Sequence, residues 1–140
     1  DLQIPWKYLK EAKLLANDFP HTLIILNHAG LPCDRSIKGL KSWRNAIDII
    51  SKCQNVIVKI SGIGVPNSTW NKYNNESIIN YLIDKFGADR CMFGSNFPVD
   101  SLCASYDQIV ETLFECISSL TNSEINNIFY NNALKFYNPL

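Results

Sequence analysis

Three short apolar runs punctuate the chain: "TLIILN" at residues 22–27, "VIVKIS" at 56–61 and "CMFGS" at 91–95. Each is rich in β-branched or bulky apolar residues and is bounded by Gly, Pro or Asn, which is the composition of a buried strand. Between them, apolar positions recur at spacings of three and four, the period of an amphipathic helix. Pro5 suits a first helical turn, and Trp6, Leu9, Ala12, Ala16 and Phe19 then share a face. Trp43, Ile47 and Ile50 repeat the pattern before Cys53. Asn74 or Asn75 is placed to cap a helix carrying Ile78, Ile79, Leu82, Ile83 and Phe86, with Gly87 as its stop. Ser105 with Gln108, and Thr121 with Glu124, have capping-box spacing ahead of helical patterns over 109–120 and 125–136.

The resulting order, strands alternating with helices, predicts an α/β fold with a parallel sheet. Strand starts at 22, 56 and 91 recur evenly, close to the repeat of a (β/α)8 barrel, in which eight units share about 250 residues. A doubly wound sheet fits the alternation equally well, but its phosphate-binding turn is missing. Gly62 and Gly64 make only half of a G-x-G-x-x-G. Three adjacent parallel strands in sequential order are expected, joined by right-handed crossovers.

Composition narrows the class. A chain of 140 residues with 46% hydrophobic and 19% charged residues describes one folded globular domain. Thirteen basic residues balance thirteen acidic ones, so no net field draws nucleic acid or an anionic membrane, and neither partner is expected. No apolar stretch approaches the roughly 20 residues of a membrane helix. The five cysteines, Cys33, Cys53, Cys91, Cys103 and Cys116, lack C-x-x-C spacing. Reduced thiols in a cytoplasm are expected, with no disulfide and with Cys91 buried in its strand. Asn67-Ser-Thr and Asn75-Glu-Ser match the glycosylation pattern at the frequency chance allows in so Asn-rich a chain. The opening at Asp1, without an initiator Met or an approach to the first helix, leads us to expect a fragment.

Candidate chemistry sits where the strands end, because parallel α/β folds bind ligands beyond the carboxyl ends of their strands. The first strand ends in "NHAGLP" with His28, the second carries Lys59 and ends in "SGIG", and the third ends in "GSNFPVD". Alternation puts Val56, Val58 and Ile60 on one face and Ile57, Lys59 and Ser61 on the other. The apolar set suits packing under helices. Lys59 then points to the barrel interior, where its ammonium must reach the open mouth or a buried partner. Met92, Gly94 and Asn96 share a face, with Gly94 leaving room beneath Asn96. Each residue has an ordinary structural use: a hydrogen-bonded histidine, an edge lysine, a turn-forming asparagine. Their alignment at successive strand ends favours a site.

"LNHAGLP", "NVIVKISGIG", "RCMFGSNFPVD" and the closing "IFYNNALKFY" resemble the second half of the amidohydrolase-2 family, nearest its lactonases and related carboxylic-ester hydrolases. "DLQIPWKYLKEAKLLANDFP" is similar to the family's segment after the fifth barrel strand. The resemblance implies a partial (β/α)8 TIM barrel, about strands 6–8 with their helices, with residues 1–140 as an incomplete domain. It places His28 where family members polarise the scissile carbonyl or, in metal-binding branches, ligate a divalent ion. Lys59 falls where a basic residue holds a substrate carboxylate, and Ser61 joins it as a substrate-binding candidate. The family usually has an aspartate, the general base for water, where this sequence has Asn96. An amide orients water but does not take its proton at neutral pH. Asp100, four residues on, is the candidate substitute. With only His21 and His28, the chain offers no His-rich metal set of its own, and no residue is assigned to metal. No cofactor is assigned to the chain; the resemblance leaves room for a divalent metal, zinc, only in the complete protein. His21, at the start of its strand, is assigned to the surface.

The resemblance thus implies a hydrolase that opens a sugar-acid lactone or cyclic dicarboxylate lactone, with a small anionic molecule as substrate. The alternatives are a metal-dependent decarboxylase of the same superfamily and a non-catalytic truncated half-barrel. In either case the isolated chain is expected to be inactive, with self-association through exposed sheet edges.

Overall fold

The computed structural model describes residues 1–65 and 68–138, so Asn67 of the first glycosylation match lies outside the described residues. The apolar runs form β1 (Ile24–Leu26), β2 (Val56–Ile60) and β3 (Cys91–Phe93). They pair in parallel and in chain order, with Ile25 opposite Ile57 and Lys59 opposite Met92. Each strand stops before its apolar run does, because the last residues of the run leave the ladder to build turns.

Helices alternate with the strands: α1 (Leu9–Asp18) precedes β1, and α2 (Ile37–Ile50), α3 (Lys72–Phe86) and α4 (Tyr106–Cys116) follow β1, β2 and β3. Val56, Val58 and Ile60 enter a core shared with Ala16 of α1, Trp43 and Ile47 of α2, and Ile79 and Leu82 of α3. The alternation of β2 therefore sorts its faces as the sequence predicts. Cys91 is fully buried in this core, and all five cysteines are free thiols. His21 is exposed.

The caps refine the helix boundaries. Asn71, not Asn74 or Asn75, caps α3, its side chain accepting from the Asn74 N–H at 3.0 Å. Asn75 lies inside the first turn, buried, and donates to the Asn71 carbonyl, a position that admits no glycan. Thr121 and Glu124 form a complete capping box. Ser105 caps α4 through the Gln108 N–H.

The closing helical pattern is three elements, not one: α5 (Asn122–Asn126), a π turn (Asn127–Asn131) and α6 (Asn132–Tyr137). A π turn rotates the side chains that follow it relative to a regular helix. Ile128 joins the main core, while Ala133 and Phe136 pack on Ile25, Ile57 and Met92, the other face of the sheet. These two side chains cover that face of the sheet. The edges are also partly occupied. Leu2 bridges to Leu26 in parallel, donating to the Ile25 carbonyl and accepting from Asn27. At β3, the Asn132 amide donates to the carbonyls of Ala88 (2.7 Å) and Cys91 (2.8 Å).

The amino-terminal end of the sheet is a hydrogen-bonded base. Arg90 donates to the carbonyls of Ser51, Cys53, Val56 and Phe86, and Asn55 to those of Ala16, Phe19 and Thr22. Polar side chains at this end close the fold, which leaves the opposite end for chemistry.

The buried Asn132 offers a direct test of these contacts. Asn132→Leu keeps the volume but takes the side-chain donor from the Cys91 carbonyl, while Ala88 keeps the Cys91 N–H, an expected cost of about 1–3 kcal/mol. Urea unfolding of the variant measures this; an unchanged midpoint would contradict the assignment.

Candidate active site

All three strands leave the sheet through left-handed backbone: His28 (φ 53°) after β1, Gly62 (φ 56°) after β2 and Asn96 (φ 53°) after β3. Glycine adopts this conformation freely and asparagine tolerates it, but His28 pays about 1–2 kcal/mol for it. Ala29 and Leu31, at φ 54° and 57°, share the same turn. The turn is held from outside the site. The buried Trp43 indole donates to the Ala29 carbonyl at 2.8 Å, and the Leu31 N–H returns to the His28 carbonyl at 2.7 Å.

These turns surround a cavity of about 470 Å³. Gln3, His28, Asn96 and Asp100 form its polar wall; Leu31, Val99, Leu102 and Cys103 form the apolar one, with Gly62 and Gly64 on its floor. A larger groove, about 580 Å³, lies between α4 and α5 around Val110, Phe114, Ile125 and Phe129. It is mainly apolar, lies away from the strand ends and gathers none of the candidate residues, so the smaller cavity is the candidate site.

His28 Nδ1 lies 2.9 Å from the Ser61 hydroxyl, across from β1 to the end of β2. A Cβ on Gly62 would fall 2.5 Å from this same nitrogen, so only glycine lets the imidazole lie over the turn. Ser61 therefore engages the histidine. The Arg35 guanidinium donates to the Ile63 carbonyl, fixing the loop between the two glycines.

After β3, the Asn96 amide donates to Asp100 Oδ1 at 2.9 Å, and the Asp100 N–H returns to the Asn96 carbonyl at 3.0 Å. The buried Trp70 indole donates to Asp100 Oδ2 at 3.3 Å. Asp100 is thus close to Asn96, on the turn Val99–Leu102, and is only 6% exposed. Its hydrogen bond orients the Asn96 amide, leaving that side chain's oxygen as the acceptor for a further partner. A Cβ on Gly64 would come within 3.3 Å of the Asp100 carboxyl and 3.1 Å of Cys103 Sγ.

Lys59 lies apart from the cavity wall. Its ammonium pairs with Asp1 at 3.0 Å and sits 5.2 Å over the Tyr137 ring, while the Tyr137 hydroxyl donates to the same carboxylate. Of the two destinations its position allows, the partner is occupied. Gly94 makes room for Ser61 and this lysine, since a Cβ there would meet Ser61 Cβ at 3.1 Å and Lys59 Cδ at 3.3 Å.

Burial, and then the Lys59 charge, hold the His28 pKa below the usual 6.5, against a smaller opposing pull from Asp100. The imidazole is neutral at pH 7. Burial and then Asp100 raise the pKa of the Cys103 thiol, leaving it protonated and a poor nucleophile. Among the described residues, no three His, Cys, Asp or Glu side chains converge to hold a metal ion. Both Asp100 oxygens are turned to Asn96 and Trp70. The side chains of this chain do not fit a zinc site by themselves.

His28, Asn96 and Asp100 are brought to one cavity; Ser61 reaches it through His28, and Lys59 only through its field. Sequence reasoning missed Trp70, Arg35 and Gln3. Trp70 lies thirty residues from Asp100, in a segment without periodicity, and no local pattern links the two. The half-motif of Gly62 and Gly64 was a signal, though for close approach to His28 and Asp100 and not for phosphate.

A partial barrel with its chemistry at the carboxyl ends of the strands is the architecture of TIM-barrel enzymes. A family model described as Amidohydrolase matches residues 2–138, and the chain belongs to this family, amidohydrolase-2. It is 39% identical over 137 residues to the uncharacterized protein y4mH of Sinorhizobium fredii, covering 98% of this chain and 46% of that one. It is 34% identical over 97 residues to an L-fucono-1,5-lactonase of Burkholderia multivorans, covering 61% and 32%. An amidohydrolase structure from Burkholderia multivorans with bound HEPES matches with a TM-score of 0.87 and 25% identity, covering 99% of this chain and 53% of that one. The chain spans about half the length of the relatives it matches most fully. No helix among the described residues is long and apolar enough to cross a membrane.

Titration of the His28 ring by NMR is expected to give a pKa below 6.5. The unfolded chain then binds the proton first, so stability should fall as pH drops from about 6.5 to the folded value and level out below it. A His28 pKa at or above 6.5 would contradict the buried, lysine-facing environment.

Proposed function

We propose that the chain supplies one side of a hydrolytic site that opens a lactone or related carboxylic ester. The observation that carries this reading is the convergence of a neutral His28 with the Asn96–Asp100 pair on one cavity at the strand ends. Family membership and the similarity to a fuconolactonase support it.

In this reading, His28 donates a hydrogen bond to the carbonyl oxygen and strengthens it as negative charge develops there. The Asn96 side-chain oxygen orients a water molecule. Asp100, whose oxygens each keep a second lone pair beside the bonds from Asn96 and Trp70, takes the water proton as the water oxygen bonds to the carbonyl carbon, in place of the family's strand-end aspartate. The ring C–O bond then breaks, and the proton passes from Asp100 to the departing alkoxide. Leu31, Val99 and Leu102 offer the apolar face of the substrate a surface to pack on. Lys59 contributes at a distance, through its field, to an anionic group. The remaining groups of the site are assigned to a segment that supplies the other barrel strands.

A panel of sugar-acid and cyclic dicarboxylate lactones tests the reading. The 140-residue chain alone should turn over none of them, and the chain joined to the missing strands should turn over at least one. There, His28→Ala should lower kcat/KM by about 10²-fold or more, and Asp100→Asn should lower kcat. Full activity in His28→Ala would overturn the assignment.

A further inference from the structure

We propose that Ser61 is a positioning residue that fixes the tautomer of His28, so that the imidazole presents an N–H, and not a lone pair, to the cavity. Ser61 is 3% exposed, and its hydroxyl proton needs an acceptor, because a buried donor left unpaired is costly. Among the described residues, His28 Nδ1 at 2.9 Å is the only partner this hydroxyl has. An imidazole nitrogen that accepts carries no proton, so the proton of the neutral ring sits on Nε2. The reverse arrangement, with Nδ1–H donating to Ser61, satisfies the ring but strands the serine proton.

Packing keeps the ring in this register. Gly62 has no Cβ, and one built there would lie 2.5 Å from Nδ1 and 2.7 Å from Cγ, so the ring rests directly on the turn. Nδ1 is committed to Ser61, and Nε2 is the nitrogen left for a ligand. An Nε2–H binds an oxygen that carries or gains negative charge. It repels a cation, which requires the lone pair on that nitrogen. The serine thereby selects between two uses of one histidine, favouring a carbonyl or oxyanion over a metal ion. The tautomer stands on the hydrogen bonding alone; its catalytic consequence rests on the proposed hydrolytic reading.

The test is long-range ¹H–¹⁵N correlation NMR of the chain carrying His21→Gln, which leaves His28 as the one imidazole. Above the His28 pKa, we expect Nε2 at a protonated and Nδ1 at an unprotonated shift, with Nδ1 displaced upfield by its hydrogen bond. Ser61→Ala should move Nδ1 downfield, and Ser61→Thr, which keeps a hydroxyl, should restore it. A proton found on Nδ1, or an Nδ1 shift unchanged in Ser61→Ala, would overturn the proposal. With a substrate in hand, Ser61→Ala should lower kcat about three- to tenfold and leave KM near its original value. The expected NMR result with no lactone hydrolysed would retain the tautomer and remove the hydrolytic reading. Hydrolysis with the proton on Nδ1 would do the opposite.

Discussion

Each strand of this sheet leaves the ladder through left-handed backbone, and the site depends on that constraint. His28, Gly62 and Asn96 occupy the three left-handed positions, one per strand, so the chain reverses direction three times around one space. The histidine is the costly member, since a Cβ crowds the carbonyl in this region. Its conformation is over-determined by neighbours: Trp43 holds the following carbonyl, Ala29 is fully buried, and Ser61 holds the ring. Backbone in sparsely populated regions clusters at functional sites, where the surroundings impose it. That is the pattern here.

The electrostatics follow from the same geometry. Alternation along β2 sends Lys59 to the face opposite the helical core, and register places it beside Met92 of β3. Asp1 and Tyr137, from the two ends of the chain, meet over its ammonium. A charge that would be costly to bury alone is thereby paired, and it still lowers the proton affinity of His28. Asp100 acts in the opposite sense from across the cavity. A neutral imidazole between a paired lysine and a buried carboxylate is suited to donating a hydrogen bond at pH 7.

Strand number, order and direction were legible because each strand is a short β-branched run with clear punctuation, and because β2 alternates cleanly. The strand-end residues were legible for the same reason: once a strand's end is located, its first polar residues fall at the mouth. Asn75 misled because asparagines crowd the start of α3, and only geometry distinguishes Asn71 as the one whose side chain reaches the third N–H. The π turn was invisible because its residues keep helical spacing on both sides, while the face they present changes at Asn127–Asn131. The Trp70–Asp100 and Arg35–Ile63 contacts join distant segments and leave no trace in local periodicity. The packing of Ala133 and Phe136 is of the same kind: they look like an ordinary helical stripe, and nothing local says which face of the sheet they cover.

The central claim is that His28 and Asp100, seventy-two positions apart in sequence, face one another across a single cavity. The His28 pKa in Asp100→Asn, measured by NMR against the unmodified chain, tests it without reference to any substrate. Removing the carboxylate charge removes the one influence that raises the proton affinity of His28, so its pKa should fall further below the original value. An unchanged or higher pKa would mean that the two residues do not share a site.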